Sequence, residues 1–460
     1  MKKLLLFTLT GISIAQLNAQ QLPGISTSNY NGVNGVFSNP ANIAGSPYRF
    51  DVNLFSLNIL AANDQASFSL SNISDNFKTD GDDNQMFGKD AGPASGMFQL
   101  DLRGPSAMFN VGKKNSFALS TRARVFANIQ DIDGKLFDKL SEDFSDDPSL
   151  PYTLSANHDM RMAINAWTEF GASYARVLAQ KGPHYFKGGI TLKYLAGAGN
   201  GYINIDHFNG TIDQNTVQQD VFLRNTTGRI ATGFGGVQLS GAETGDIFNM
   251  NSRGFGTDIG FVYEFRPGGS LLNGKSYKLK LGAALLDVGS IKYEKDMQRS
   301  GAYNMDITGS EKLSLKELGN IDIDDYNSFF ADRPTLFTPD ASNTASSYKV
   351  SLPTSLQLEA DYHVISGLYA NVTTQFALSK SKKKGYNSYV NSGFTVTPRF
   401  EMKRFGFYLP INYNDLTKVN AGAALRVGPM YVGSGSIVSA LMGKSKQADI
   451  YFGFRIGILK

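Results

Sequence analysis

The chain has 460 residues, with 44 Lys and Arg against 40 Asp and Glu and a formal net charge of +4, too small and too dispersed a surplus to point to nucleic acid. Charged residues are only 18% and aromatics 12%, with 48 Gly and one Trp, whereas a soluble protein normally carries about a quarter charged residues. Cysteine is absent, which excludes disulfide scaffolding, thiolate metal sites and a lipid-bearing N-terminal cysteine.

In chain order, Lys2 and Lys3, the apolar run Leu4 to Ala15 and the small residues up to Ala19 have the form of a cleaved secretory signal peptide over 1–19, too short for a stop-transfer anchor. The rest contains no apolar run of about 18 residues, so no helix spans a membrane. Export then leads to the periplasm, the exterior or an outer-membrane barrel. Residues 20–48 follow, Gly- and Asn-rich from Gly24 to Gly45 with no signal for an independent domain. In a barrel such a segment either dangles or folds into the lumen as a hatch, and Val33, Val36, Phe37 and Ile43 favour the hatch. Its removal is then expected to leak polar solutes.

From about residue 49 to 460 the dominant period is two, the signature of strands with one apolar and one wet face. Phe98, Leu100 and Leu102 share even parity, whereas Ala107, Phe109 and Val111 are odd. A parity change needs an extra residue, so Gly104-Pro105 marks a bulge or kink: either an ordinary bulge or a side opening for an apolar ligand. Phe117, Leu119, Thr121, Ala123 and Val125 oppose Ser116, Ser120, Arg122 and Arg124. Phe255 to Phe265 and Tyr277 to Leu285 alternate likewise. From Tyr348 to Val364 the even positions form one apolar face, and Gln357, Glu359, Asp361 and His363 form the wet one. Pro353 cannot donate to a ladder, so full pairing there begins after it. Phe452, Phe454, Ile456 and Ile458 close the chain.

The connections alternate in length. Short turns lie at 112–115, 179–183, 267–275, 365–367, 403–404 and 428–429, and polar stretches at about 62–96, 131–157, 198–252, 290–347, 381–391, 415–417 and 439–447. Short turns on one side and long loops on the other describe a transmembrane antiparallel up-and-down β-barrel, here of about 14 strands. A soluble β-sandwich is the alternative, but it would mix both lengths at each end. Leu136, Leu140 and Phe144 have the spacing of a short loop helix.

Gly269 to Ser276 fits the P-loop pattern, yet Tyr277 to Leu285 alternates as a strand where a phosphate-binding helix would be needed. It reads as a hairpin turn. His158, His184, His207 and His363 are scattered, and no Ser/His/acid cluster is visible, so neither a metal site nor an enzyme is expected. Asp322 to Asp325 lacks the Gly and Glu of a calcium loop, and the basic run Lys380 to Lys384 reads equally as a solvated loop or a contact to lipopolysaccharide phosphates.

Asn39-Pro40-Ala41, after a Gly-rich lead and before the first strand, resembles the hatch motif of FadL-like long-chain fatty-acid transporters and of the related PorV-like proteins of type IX secretion in Bacteroidetes-type bacteria. Ala166 to Arg176 resembles a PorV-like strand. The resemblance implies a barrel of about 14 strands with a lumenal hatch and a kinked strand forming a side opening. The larger connections at 198–252 and 290–347 depart from the transporters. The expected function is passive uptake or handling of small hydrophobic molecules without a cofactor; the alternative is an accessory barrel of a secretion or assembly complex that binds a protein partner. Asn39, Pro40 and Ala41 are the hatch candidates, Gly104 and Pro105 the side-opening candidates, and Arg122, Arg124, Glu359 and Asp361 the lumen-facing polar groups.

Overall fold

The computed structural model describes residues 22–65, 67, 92–141, 144, 146–154, 159–237, 251–267, 277–321, 325–341, 343, 345–379, 385–443 and 445–460. The signal segment, His158, the P-loop-like stretch Gly269 to Ser276, residues 322–324 of the acidic cluster and Lys380 to Lys384 lie outside the described residues.

The alternating segments form one closed antiparallel barrel of 14 strands. These are β1 (Tyr48–Asn63), β2 (Pro93–Arg103, resuming as Ser106–Val111), β3 (Asn115–Asp133), β4 (Met160–Lys181), β5 (His184–Asn215), β6 (Ser252–Phe265) and β7 (Leu279–Glu294). They continue as β8 (Ser347–Ser351 and Ser355–Ile365), β9 (Leu368–Ala377), β10 (Gly393–Glu401), β11 (Phe405–Tyr408 and Ile411–Asn414), β12 (Lys418–Ala421 and Ala423–Val427), β13 (Met430–Ser434) and β14 (Gln447–Leu459). β1 and β14 close the ring, from Tyr48 opposite Leu459 to Ala62 opposite Gln447. The short connections share one end with both chain termini.

Polarity is inverted relative to a soluble protein. Leu119, Leu192 and Phe255 are 65%, 61% and 73% exposed on the outer wall, whereas Asp101, Arg122, Glu169, Asp361 and Arg399 are buried inside. Only lipid makes such a wall favourable. Leu358, outward on β8, is therefore expected to tolerate no charge: Leu358→Arg near the midplane costs about 2–4 kcal/mol and should lower the heat-resistant barrel fraction on gels. Ala360→Val, on the same face, should leave it unchanged. Equal yields of the two variants would contradict the lipid-facing assignment.

Two readings of the strands need correction. The single even face from Tyr348 to Val364 breaks at Pro353: Leu358 and Tyr362 face outward, but Val350 and Leu352 are 0% exposed and face the lumen. Leu352 is bonded to Gly289 and Thr354 to the carbonyl of Asp287, so the wall crosses Pro353 with a change of face. The stretches 198–252 and 290–347 are also less loop-like than expected. β5 has 32 residues, roughly 105 Å at the strand rise, where crossing a bilayer takes about 9–11 residues. Its upper half pairs with Asp220–Gly236, while β6 takes its lower half. Gly301–Ile307 and Phe337–Pro339 extend this outer sheet. The helix Gly134–Ser141 packs its Leu136 into the sheet's own core with Phe208, Ile212, Tyr303 and Phe330.

Gly104-Pro105 does interrupt β2, as the parity change required, and hydrogen bonds bridge the break. Gly104 donates to the Thr121 carbonyl at 3.0 Å, Thr121 Oγ1 donates to the Pro105 carbonyl at 3.0 Å, and Asn53 Nδ2 reaches the Gly104 carbonyl at 3.1 Å. A Cβ at 104 would stand 2.5 Å from Thr121 Oγ1, so a larger residue would displace that hydroxyl from its bond to Pro105. The wall ladder is interrupted elsewhere. Beyond Ser434 the short helix Ile437–Leu441 lies against Lys418–Ala421 and β14 in place of a longer β13.

Candidate functional site

The site is the lumen, and its lower part is filled by residues 22–47, which form three short 3-10 turns. Val33, Val36 and Ile43 bury against Met108, Ala175 and Tyr185 of the inner wall. The turn Pro40–Ile43 starts at Asn39 because its Oδ1 accepts from the Ala41 amide at 2.9 Å and Pro40 occupies the first position, a favourable N-cap arrangement. The Asn39 side chain also donates through Nδ2 to the carbonyls of Phe261 and Ala283 at 3.1 and 3.3 Å. Glycines make this approach possible. A Cβ at Gly189 would meet the Pro40 carbonyl carbon and Ala41 nitrogen at 2.5 Å, and one at Gly260 would meet Asn39 Oδ1 at 2.0 Å. Gly189 and Gly260 are register partners on β5 and β6. Asn39-Pro40-Ala41 thus sits in a glycine saddle.

Other strands hold the remaining hatch. Asp51 accepts from the Val33 amide at 2.7 Å and pairs with Arg455, which also reaches the Tyr30 carbonyl. Glu401 accepts from Ser28 and from the Asn29 amide. Phe37 lies under Arg103 and Arg122, at 4.5 and 5.2 Å from ring centre to guanidinium carbon. A cavity of about 160 Å³ remains between the hatch and a polar wall of Lys187, Glu264, Arg266, Tyr277 and Lys280.

The four polar lumen candidates fall into two groups. Arg122 pairs with Asp101 at 2.6 Å, which also holds Arg103. Arg124 bridges Glu169 at 3.0 Å and Asp287 at 2.9 Å, and Lys193 joins Asp287 and Asp258 at 2.5 and 2.8 Å. These residues make a buried ionic belt above the hatch. Glu359 and Asp361 stand apart from it. Glu359 pairs with Lys280 at 3.1 Å and Asp361 with Arg399 at 2.8 Å, and Asn371 donates to both carboxylates.

Above the belt the lumen becomes apolar. Phe126, Trp167, Leu195, Ile291, Tyr293, Val350 and Leu352 pack together around Val390. Val390 belongs to the connection between β9 and β10, expected as an outer loop, whose residues 386–391 turn inward. Asn387 accepts from the Ser351 amide at 2.9 Å, Ser388 Oγ accepts from Asn165 at 3.2 Å, and Tyr389 and Asn128 bond both ways at 3.3 Å. Where hatch, belt and loop meet, a void of about 20 Å³ is bounded by Phe37, Asp287, Gln357 and Val390, room for one water. Among the described residues the barrel is thus closed twice, by hatch and by loop.

Sequence reasoning missed Asp287, Lys193, Glu169 and the inward loop. Glu169 and Lys193 stand on inward parity and could have been found by extending the alternation. Asp287 could not, because it sits in a bulge of β7 with φ at +56°.

No curated protein matches the chain. Among solved structures it is similar to a Pseudomonas aeruginosa FadL homologue, with TM-score 0.44 and 9% identity over 96% of this chain and 98% of that one. It is similar also to the TodX deltaS2S3 mutant monoaromatic hydrocarbon channel, with TM-score 0.33 and 8% identity over 96% and 98% of the two chains. The match that places the sequence covers residues 40–435, from the hatch proline to the end of β13: the chain belongs to the family of unknown function DUF5723.

Proposed function

We propose that the chain, exported with a cleaved signal peptide, is an outer-membrane barrel that takes up or handles small hydrophobic molecules, with lipopolysaccharide among its lipid neighbours. The observation that carries this reading is the apolar layer of Phe126, Trp167, Leu195, Ile291, Val350 and Leu352 inside the barrel. A transmembrane barrel ordinarily has a polar interior. The wall changes face at Pro353 and so turns Val350 and Leu352 away from lipid. A buried apolar surface covered by the loop side chains Val390 and Tyr386 suits an apolar guest that displaces the loop. The accessory-subunit reading has no comparable observation behind it.

The loop is then the entrance, and fixing it should stop entry. The chain has no cysteine, so Asn165→Cys with Ser388→Cys introduces a single pair where the native side chains touch at 3.2 Å. Oxidised double-variant barrels in vesicles are expected to take up an apolar fluorescent probe no faster than empty vesicles do, and reduction should restore uptake. Undiminished uptake by the oxidised form would remove the loop from the route and the apolar layer from the function.

A further inference from the structure

The ionic belt and the apolar layer meet at one side chain. Arg124 is fully enclosed, with its guanidinium carbon 4.8 Å from the Phe126 ring centre and 4.9 Å from that of Trp167. Both rings belong to the apolar layer. Nη1 donates to Glu169 and Asp287. Nε and Nη2 are buried and have no hydrogen-bond partner among the described residues. Unmade donors on a buried cation are costly, and an acceptor arriving through the apolar layer would satisfy them.

The charge of that acceptor follows from its surroundings. Arg124 and Lys193 face Glu169, Asp258 and Asp287, two formal positive charges against three negative. Arg103 and Arg122 share Asp101, two against one. The belt is therefore balanced, four against four. A carboxylate reaching Arg124 would bring a fifth negative charge beside Glu169 and Asp287, where low dielectric makes like charges repel strongly. A neutral acceptor meets no such penalty.

We infer that Arg124 anchors the ligand of the apolar layer, and that this ligand is an uncharged apolar molecule carrying a hydrogen-bond acceptor, such as an ester, ketone or ether, and not an ionised acid. The inference rests on the hydrophobic-molecule reading and narrows it. Val390 and its loop occupy the place of the apolar body, and Nε and Nη2 of Arg124 await the acceptor.

The only Trp of the chain is Trp167, so intrinsic fluorescence of the whole barrel in lipid nanodiscs reports on the ring packed against Arg124. Methyl octanoate, nonane and nonanoate, the last at a pH where it is ionised, would be titrated with empty nanodiscs as the partition reference. Methyl octanoate is expected to shift Trp167 emission saturably and to bind about ten- to a hundredfold more tightly than nonane, as fits one hydrogen bond to a charged donor. Nonanoate should bind no more tightly than nonane. Arg124→Lys keeps a cation for Glu169 and Asp287 but removes the paired donors, and should reduce the ester to the affinity of nonane. Tighter binding of nonanoate, or an ester preference that survives Arg124→Lys, would overturn the assignment. Equal binding of all three would remove the anchor and leave the hydrophobic reading standing, whereas no response to any of them would sink both. If Arg124→Lys fails to fold, the three-ligand comparison on the unaltered barrel decides alone.

Discussion

A barrel combining Gly189→Val with deletion of residues 386–391 is expected to conduct ions across a planar bilayer, while Gly189→Val alone leaves it closed and the loop deletion alone opens it only rarely. Gly189 lies between register partners Ala175 and Gly260, so its backbone cannot retreat. A side chain there starts 2.5 Å from the hatch backbone at Pro40 and Ala41, and the hatch must yield. Overpacking of this kind costs about 1–3 kcal/mol, a shift of roughly 5–150-fold toward the displaced hatch. The displaced state still meets the loop and apolar layer above it, and so does not conduct. Deleting the loop removes that second barrier but leaves the hatch seated. The frequency of openings in the combined variant should therefore exceed that of the loop deletion alone by the same factor, with Ala360→Val on the outer wall as the silent control. Conduction by Gly189→Val alone would mean that the loop does not seal, and silence of the combined variant would mean that the saddle does not hold the hatch. This differs from the expectation from sequence that losing the N-terminal segment is enough for a leak.

The difference has a physical origin. Alternation reveals which residues face lipid, because every second position must be apolar there, and this made the barrel, its strand number and the inward side of Arg122 and Asp361 readable. It fails wherever the wall changes face. Gly104-Pro105 was visible because both flanking runs are long and apolar. Pro353 was not, because Val350 and Leu352 are apolar on the lumenal side, and an apolar inner face continues the pattern of an apolar outer one. The Asn-Pro-Ala motif could be located, but not its seat, since glycines at 189 and 260 acquire meaning only when β5 and β6 align them beneath Asn39. Residues 386–391, Tyr-Asn-Ser-Tyr-Val-Asn, are short and mix polar with aromatic and apolar side chains without periodicity, so nothing local distinguishes an inward loop from a solvated one. Their partners Asn128, Asn165 and Ser351 lie on three other strands.

The ionic belt yields the other large effect, on stability. Asp287→Ala is expected to destabilise the barrel by about 3–5 kcal/mol, the cost of leaving buried partners uncompensated. Asp287 accepts from Lys193 at 2.5 Å and from Arg124 at 2.9 Å, and its own amide donates to Asp258 at 2.7 Å. Without it, Arg124 keeps only Glu169, and the belt is left with four cations against three anions in a lumen that has little room for water. Glu294→Ala, on the same strand, supplies the comparison. Glu294 pairs with Lys292 in the open, at side-chain exposures of 72% and 53%, and its loss should cost no more than about 1 kcal/mol. Urea unfolding in lipid vesicles, read by the emission of Trp167, measures both on one scale. Trp167 donates to Glu169 at 2.8 Å, so its spectrum should also change in folded Asp287→Ala as the belt rearranges. A cost for Asp287→Ala as small as that for Glu294→Ala would mean that the lumen at this level is wet, and the case for a sealed, apolar-lined interior would fall with it.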